Sequence, residues 1–274
     1  MANYGSKTVS VIDTASREVV HTIALTYAPR GVAVHPNGRT LYVSNEGYTI
    51  NVIETEKFQT ITSMGAPLLY PSALRLNPTG SRLYSGYYVS YNYLNEYNTS
   101  TNSSTKYVTI SGLANAITTN PSGSRIYTAG SHTNEINQSD FTLIGSYTNG
   151  SESYGIAYSP NEEALYVTTY GTTFNNGTLT ILSTMTTPPS YIKSIGNLSQ
   201  PWGVAFPPDG EKAYVCLHGD NSIKIIDTST REITGEINTA THPLDRPKEI
   251  VVSSDGSTAY VANSGSNNVI IVSL

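Results

Sequence analysis

One ten-residue stretch, Pro36-Asn37-Gly38-Arg39-Thr40-Leu41-Tyr42-Val43-Ser44-Asn45, recurs along the chain and dictates what it can become. Later copies begin at Pro78, Pro121, Pro160, Pro208 and Ser254, and the copy at Pro160 carries Glu in place of Gly. Each is a turn running straight into a strand. Proline presets the turn and glycine supplies the positive φ that reverses the chain. The tyrosines of the copies, Tyr42, Tyr84, Tyr127, Tyr166, Tyr214 and Tyr260, stand 42, 43, 39, 48 and 46 residues apart. A unit of that length cannot bury its own apolar face. Repeated end to end, it stacks on its neighbours around one continuous core.

The unit reads as four strands. Gly31-Val32-Ala33-Val34 is a short apolar run suited to a buried inner strand, and Leu41-Tyr42-Val43 is a second strand of β-formers. Thr49 to Glu54 alternates with period two, and Thr60-Ile61-Thr62 follows a further polar turn. Asp13 and Asp227 close the third strands Val9–Thr14 and Ile223–Thr228, where a side chain that caps the next turn is the expected role. The grammar loosens at Tyr87–Tyr93 and at Gly171–Gly177. No helical period of useful length appears. An all-β chain is expected.

Four strands every 40 to 50 residues is the spacing of β-propeller blades. Leu41-Tyr42-Val43-Ser44-Asn45, Tyr166-Val167-Thr168-Thr169 and Tyr260-Val261-Ala262-Asn263 resemble the YVTN motif, and the Pro-Asp-Gly turns and Val-Ile-Asp-Thr strands match it as well. The chain thus resembles the YVTN-repeat propellers, a family of surface-layer and YncE-like proteins related to lactonase-type propellers. The resemblance spans residues 1–274 and implies a single propeller domain. It bears on scaffold and leaves function open.

Ala2–Val11 aligns with Ala262–Ile271. The strand types then number seven second, seven third, six first and six fourth strands. The expectation is seven four-stranded antiparallel blades with incomplete terminal blades, an upstream segment supplying the missing strands. Six blades is the alternative.

Composition narrows the partners. Charged residues are 13% and the net charge is −5, which argues against nucleic acid, since phosphate binding needs a basic patch. No apolar run reaches the roughly 18 residues that span a membrane. Cys216 is the only cysteine, so no internal disulfide forms, and its place in a strand reads as a small buried apolar group. With 21 Tyr against 4 Phe, and Ser, Thr and Asn plentiful, the composition points to an extracellular or cell-surface location.

Propellers bind ligands where the inner strands begin. Pseudosymmetry puts Arg30, Ser72, Asn115, Tyr154, Trp202 and Lys248 at equivalent points there, with Tyr70, Glu152, Gln200 and Arg246 just before them. Loops between second and third strands add Glu46, Tyr88, His132, Tyr170, His218 and Asp220. Arg30, Tyr70, Tyr154, Trp202, Arg246, Lys248, Glu46 and His218 are the candidate ligand-binding residues. Aromatic faces beside Arg and Lys donors suit a sugar or a small anion, and Trp202, the sole Trp, can stack on a sugar or pack in the mouth.

No Gly-x-Ser-x-Gly elbow, P-loop or dinucleotide fingerprint is present, and the histidines lack local metal spacing. No catalytic residue, metal or cofactor is therefore called for. The favoured expectation is a non-enzymatic propeller binding a protein or glycan. Two alternatives stand beside it. One is a lactonase-like hydrolase whose channel metal would be held, as that resemblance implies, by Glu46, Glu152 or Asp220; the other is a structural module of a cell-surface assembly.

Overall fold

A computed structural model describes the chain except residues 68, 69, 88–91, 162, 239, 241 and 242. Tyr88, His242 and the Glu-for-Gly turn at 162 therefore lie outside the described residues. The chain forms a seven-bladed β-propeller of three- and four-stranded antiparallel sheets, with no helix among the described residues.

Sheet one holds β1 (Ala2–Asn3), β2 (Thr8–Ile12) and β3 (Val19–Ala24). Sheet two holds β4 (Pro29–Val34), β5 (Thr40–Asn45), β6 (Thr49–Glu54) and β7 (Gln59–Gly65). Sheet three follows with β8 (Pro71–Leu76), β9 (Arg82–Tyr87), β10 (Tyr93–Asn98) and β11 (Ser103–Thr109). Sheet four comprises β12 (Ala116–Thr119), β13 (Arg125–Ala129), β14 (His132–Asn137) and β15 (Thr142–Thr148). Sheet five comprises β16 (Ser153–Tyr158), β17 (Ala164–Thr169), β18 (Gly177–Ser183) and β19 (Ser190–Leu198). Sheet six has β20 (Pro201–Ala205), β21 (Lys212–Leu217), β22 (Ser222–Asp227) and β23 (Glu232–Ile237), and sheet seven has β24 (Pro247–Val252), β25 (Thr258–Asn263) and β26 (Asn268–Ser273). The three-stranded first and last sheets account for the uneven strand count, so seven blades, and not six, is the architecture.

The repeated turns do what their residues require. Gly38, Gly80, Gly123, Gly210 and Gly256 all have φ between +65° and +76°. Each donates its N–H to the carbonyl three residues back, as Gly38 does to His35 O at 2.8 Å. The aspartate caps form as well: Asp227 Oδ1 accepts the Thr230 N–H at 2.8 Å and the Ser229 hydroxyl at 2.6 Å, and Asp13 Oδ1 accepts the Ser16 N–H at 2.7 Å. In sheets one, two, three, five and six a β-bulge falls at the same place between third and fourth strands, as at Val52/Ile53 and Ile225/Ile226. A bulge there steepens the twist of the outer edge.

Two compact units divide the chain within β13, β14 and β15. In the unit Met1–Ile126 with Ile136–Leu143, Tyr42, Ile50, Val52, Met64, Leu83 and Tyr97 pack in one cluster and Tyr84, Leu94, Ile117 and Phe141 in another. In the unit Tyr127–Glu135 with Ile144–Leu274, Tyr166, Leu179, Ile181, Val215 and Leu217 form one cluster, and Tyr214, Cys216, Ile250, Val261 and Val272 the next. Five of the six tyrosines that mark the repeat are buried, and Tyr260 is partly so. Tyr84 stacks on Phe141 at 6.1 Å, and Tyr166 meets Phe206 edge-on at 4.9 Å.

Candidate functional site

In the second unit, three inner strands lie side by side and glycine sets their spacing. A Cβ on Gly155 would run into the Trp202 carbonyl oxygen, and one on Gly203 would stand 2.5 Å from Lys248 O. Only a residue without a side chain admits so close an approach. The Thr168 hydroxyl donates to Trp202 O and fixes the same contact. The residue just before each glycine is thereby carried up against its neighbour on the next strand. That is how Tyr154 of β16, Trp202 of β20 and Lys248 of β24 come together.

The result is a ladder of two rings and a cation. Tyr154 and Trp202 stack with centroids 4.3 Å apart and planes 16° apart. Lys248 Nζ sits over Trp202 at 4.5 Å from its centroid. The two partners come from β16 and β24, the strands that pack on β20. Tyr170 meets Tyr154 and Trp202 edge-on at 5.7 and 5.6 Å, and His218 lies 5.6 Å from the indole. Such contacts contribute roughly 0.5–1.5 kcal/mol per aromatic pair and about as much again for a partly desolvated cation over a ring. The indole, a candidate for stacking on a sugar, already packs against Tyr154 and Lys248.

Polar groups frame the ladder. His218 Nδ1 is 3.3 Å from Gln200 Oε1, and its backbone N–H donates to Gln200 O at 3.1 Å. The Arg246 N–H donates to Asn221 Oδ1 at 2.7 Å, while its guanidinium is exposed. Gln200 and Arg246 have φ of +52° and +51°, and each directly precedes the proline opening an inner strand. Residues held in that region store strain and collect where a site is preorganised. Neither Lys248 nor Arg246 makes an ion pair among the described residues. Burial, then the positive charges of Lys248 and Arg246, push the His218 pKa below its ordinary value, with Asp245 opposing. Burial lowers the Lys248 ammonium as well, opposed by Glu249. The result is a cationic, aromatic surface on a chain whose net charge is −5.

The first unit holds the other candidates, and there the charges are already matched. Arg30 Nη2 is 2.6 Å from Glu46 Oε1, which also accepts the Tyr4 hydroxyl at 2.7 Å, while Arg30 Cζ lies 5.2 Å from the Tyr4 centroid. Tyr4 first, and Arg30 after it, hold the Glu46 carboxyl below the usual range. Tyr4 escaped sequence reasoning; it stands in the loop between β1 and β2, the type of loop that supplied Glu46 and His218. Tyr70 has φ +61° and donates its N–H to Gly47 O at 3.2 Å.

A channel metal of the kind the lactonase resemblance implied needs converging donors. Among the described residues no three His, Cys, Asp or Glu side chains gather to hold one. Glu46 is committed to Arg30 and Tyr4. No chemistry is routed through a metal here.

Comparison with known proteins places the ladder within a recognisable segment. Residues 147–274 match the family model of the lactonase seven-bladed β-propeller. No curated protein matches the chain. Among solved structures, the hydrazine synthase of Kuenenia stuttgartiensis superposes with a TM-score of 0.84 at 18% identity, covering 99% of this chain and 91% of that one. In all, 1747 solved chains match. A scaffold used so widely identifies the fold and leaves function to the site. The membrane question has a narrow answer: among the described residues no helix is long and apolar enough to cross a bilayer.

Proposed function

We propose that this chain is a binding propeller that takes an acidic sugar, free or at the end of a glycan, over sheets five to seven. One observation carries the reading: Lys248 and Arg246 flank an aromatic cluster, and neither has an ion-pair partner among the described residues. A ligand carboxylate would supply the missing counter-charge through charge-assisted hydrogen bonds, which are about twice as strong as neutral ones. The rings of Tyr154 and Tyr170 shield those bonds from water, and the hydroxyls of the sugar find donors and acceptors in His218 and Gln200. The YVTN-like strands are scaffold in this reading. The Ser-, Thr-, Asn- and Tyr-rich composition favours a place outside the cell or at its surface. Calorimetry with galacturonate and galactose tests it. The acid is expected to bind at least tenfold tighter, and Lys248→Ala or Arg246→Ala to abolish the difference. Equal binding of the two sugars would end the proposal.

The match of residues 147–274 to a lactonase model supports a second reading, lactone hydrolysis on the same surface. With its pKa lowered, His218 is neutral near pH 7 and can accept a proton from water as the water oxygen attacks the lactone carbonyl. Lys248 faces the developing oxyanion. As the intermediate collapses, the ring C–O bond breaks and the imidazolium returns its proton to the departing alkoxide, leaving a hydroxy acid beside the two cations. Acid release from a sugar δ-lactone, followed by pH-stat, should then exceed the spontaneous rate and fall to it in His218→Ala. A wild-type rate equal to the spontaneous one refutes catalysis and leaves binding standing.

A further inference from the structure

We infer that Phe174, and not Trp202, is the ring on which a bound sugar stacks, with the Ser199 hydroxyl as a hydrogen-bonding group beside it; this rests on the acidic-sugar reading. A sugar ring presents apolar C–H faces that pack on the electron-rich face of an aromatic ring. Trp202 is already engaged by the Tyr154 ring at 4.3 Å and the Lys248 ammonium at 4.5 Å, and it is only partly exposed.

Phe174 is 59% exposed, and it comes from the loop joining β17 to β18. Tyr170, at the base of that loop, is part of the ladder. Asn176 staples the loop shut. Its Oδ1 accepts the Thr173 N–H at 3.0 Å, and its Nδ2 donates to Thr172 Oγ1 at 3.1 Å. Gly171 at φ +84° and Asn175 at φ +64° turn the chain on either side of Phe174. The ring is therefore held out by a preformed loop, so a ligand need not order it on arrival.

The ring edge rests over Gly219, the residue after His218. A Cβ there would stand 2.9 Å from Phe174 Cε2 and 2.5 Å from Ser199 Oγ. The glycine leaves a notch with Phe174 on one wall and Ser199 on the other. Ser199 is fully buried, and among the described residues its hydroxyl has no hydrogen-bond partner. A buried hydroxyl without a partner is costly and marks a place where one is missing. A sugar whose carboxylate meets Lys248 and Arg246 can lay its C–H face on Phe174. A small outward turn of that exposed ring then brings a ligand hydroxyl to Ser199 Oγ.

Calorimetric titration of galacturonate into the wild type and the Phe174→Ala, Phe174→Tyr, Ser199→Ala and Lys248→Ala proteins tests the assignment. Phe174→Ala should weaken binding about tenfold, Phe174→Tyr should restore it to within about twofold, and Ser199→Ala should weaken it several-fold. The exposed position of Phe174 keeps the fold intact, which an unchanged emission spectrum of Trp202 would register. Binding lost in Lys248→Ala but unchanged in Phe174→Ala overturns the stacking role and leaves the acidic-sugar reading in place. A wild type that binds no galacturonate overturns both.

Discussion

Replacing Gly203 with alanine puts the glycine-set spacing of the inner strands to a direct test. The added methyl would stand 2.5 Å from Lys248 O, 3.1 Å from Glu249 Cα and 3.3 Å from Ile250 N, all of them backbone atoms that no rotamer change can remove. Ordinary contact begins at 3.4 Å, so β24 must retreat from β20 by 3.4 − 2.5 = 0.9 Å. Overpacking of this kind costs about 1–3 kcal/mol, and drawing Lys248 away from Trp202 forfeits part of a cation–π contact besides. A loss of about 2 kcal/mol corresponds to a Tm lower by roughly 4–8 °C in a chain of this size. Thermal unfolding followed by circular dichroism measures it, and the emission of the sole tryptophan reports whether the ladder has opened. Gly196→Ala in β19 is the control. Nothing lies within 4 Å of its new methyl, and its φ is not positive, so it should be neutral or stabilising by about 0.4–1 kcal/mol. An unchanged Tm and unchanged emission in Gly203→Ala would refute the close-approach argument.

Three other expectations concern titrating and buried groups. Lys248→Met removes one of the charges that depress His218, so the imidazole pKa measured by NMR should rise; no movement would show that burial alone sets it. Hydrogen bonds from Ser253, then Ser257, hold the Asp255 carboxyl at about 2 in the folded chain. A depressed folded pKa stabilises above the unfolded value near 3.9 and loses that contribution as pH falls toward 2. The Tm advantage of the wild type over Asp255→Asn should therefore shrink between pH 4 and pH 2, and a constant gap would contradict the linkage. Burial raises the Cys216 pKa well above its ordinary value, so an aromatic disulfide reagent should react with Cys216 only after unfolding; prompt reaction with the native protein would contradict its burial.

The scaffold was legible because its signals are local. Gly38 or Gly256 needs only its own φ to announce a turn, and Asp227 only its own side chain to cap one. Counting strand types then favoured seven blades over six, and the three-stranded first and last sheets decided it. The site was legible in part, since pseudosymmetry alone aligned Tyr154, Trp202 and Lys248. What spacing could not reveal was which neighbours would touch. Gly155 and Gly203 stood in the sequence as ordinary strand residues, yet they set how closely the strands carrying Tyr154, Trp202 and Lys248 approach one another. Arg30 and Glu46 appeared as separate candidates sixteen positions apart, and cross-strand geometry made them one ion pair. Phe174 lay within a noted expansion, but its seat over Gly219 depends on a contact 45 residues away in sequence.

Repeat chains evolve by duplicating, deleting and exchanging their modules, and most blades here would tolerate such traffic because their contacts follow one shared pattern. The ladder removes three of them from that economy. Sheet five must bring a ring, sheet six a ring that fits between two neighbours, and sheet seven a cation, in that order and no other. A chimera with sheets five and six exchanged would still fold as a propeller, yet its recognition surface would be gone. In a protein made of near-copies, these three blades have lost the freedom to be copies.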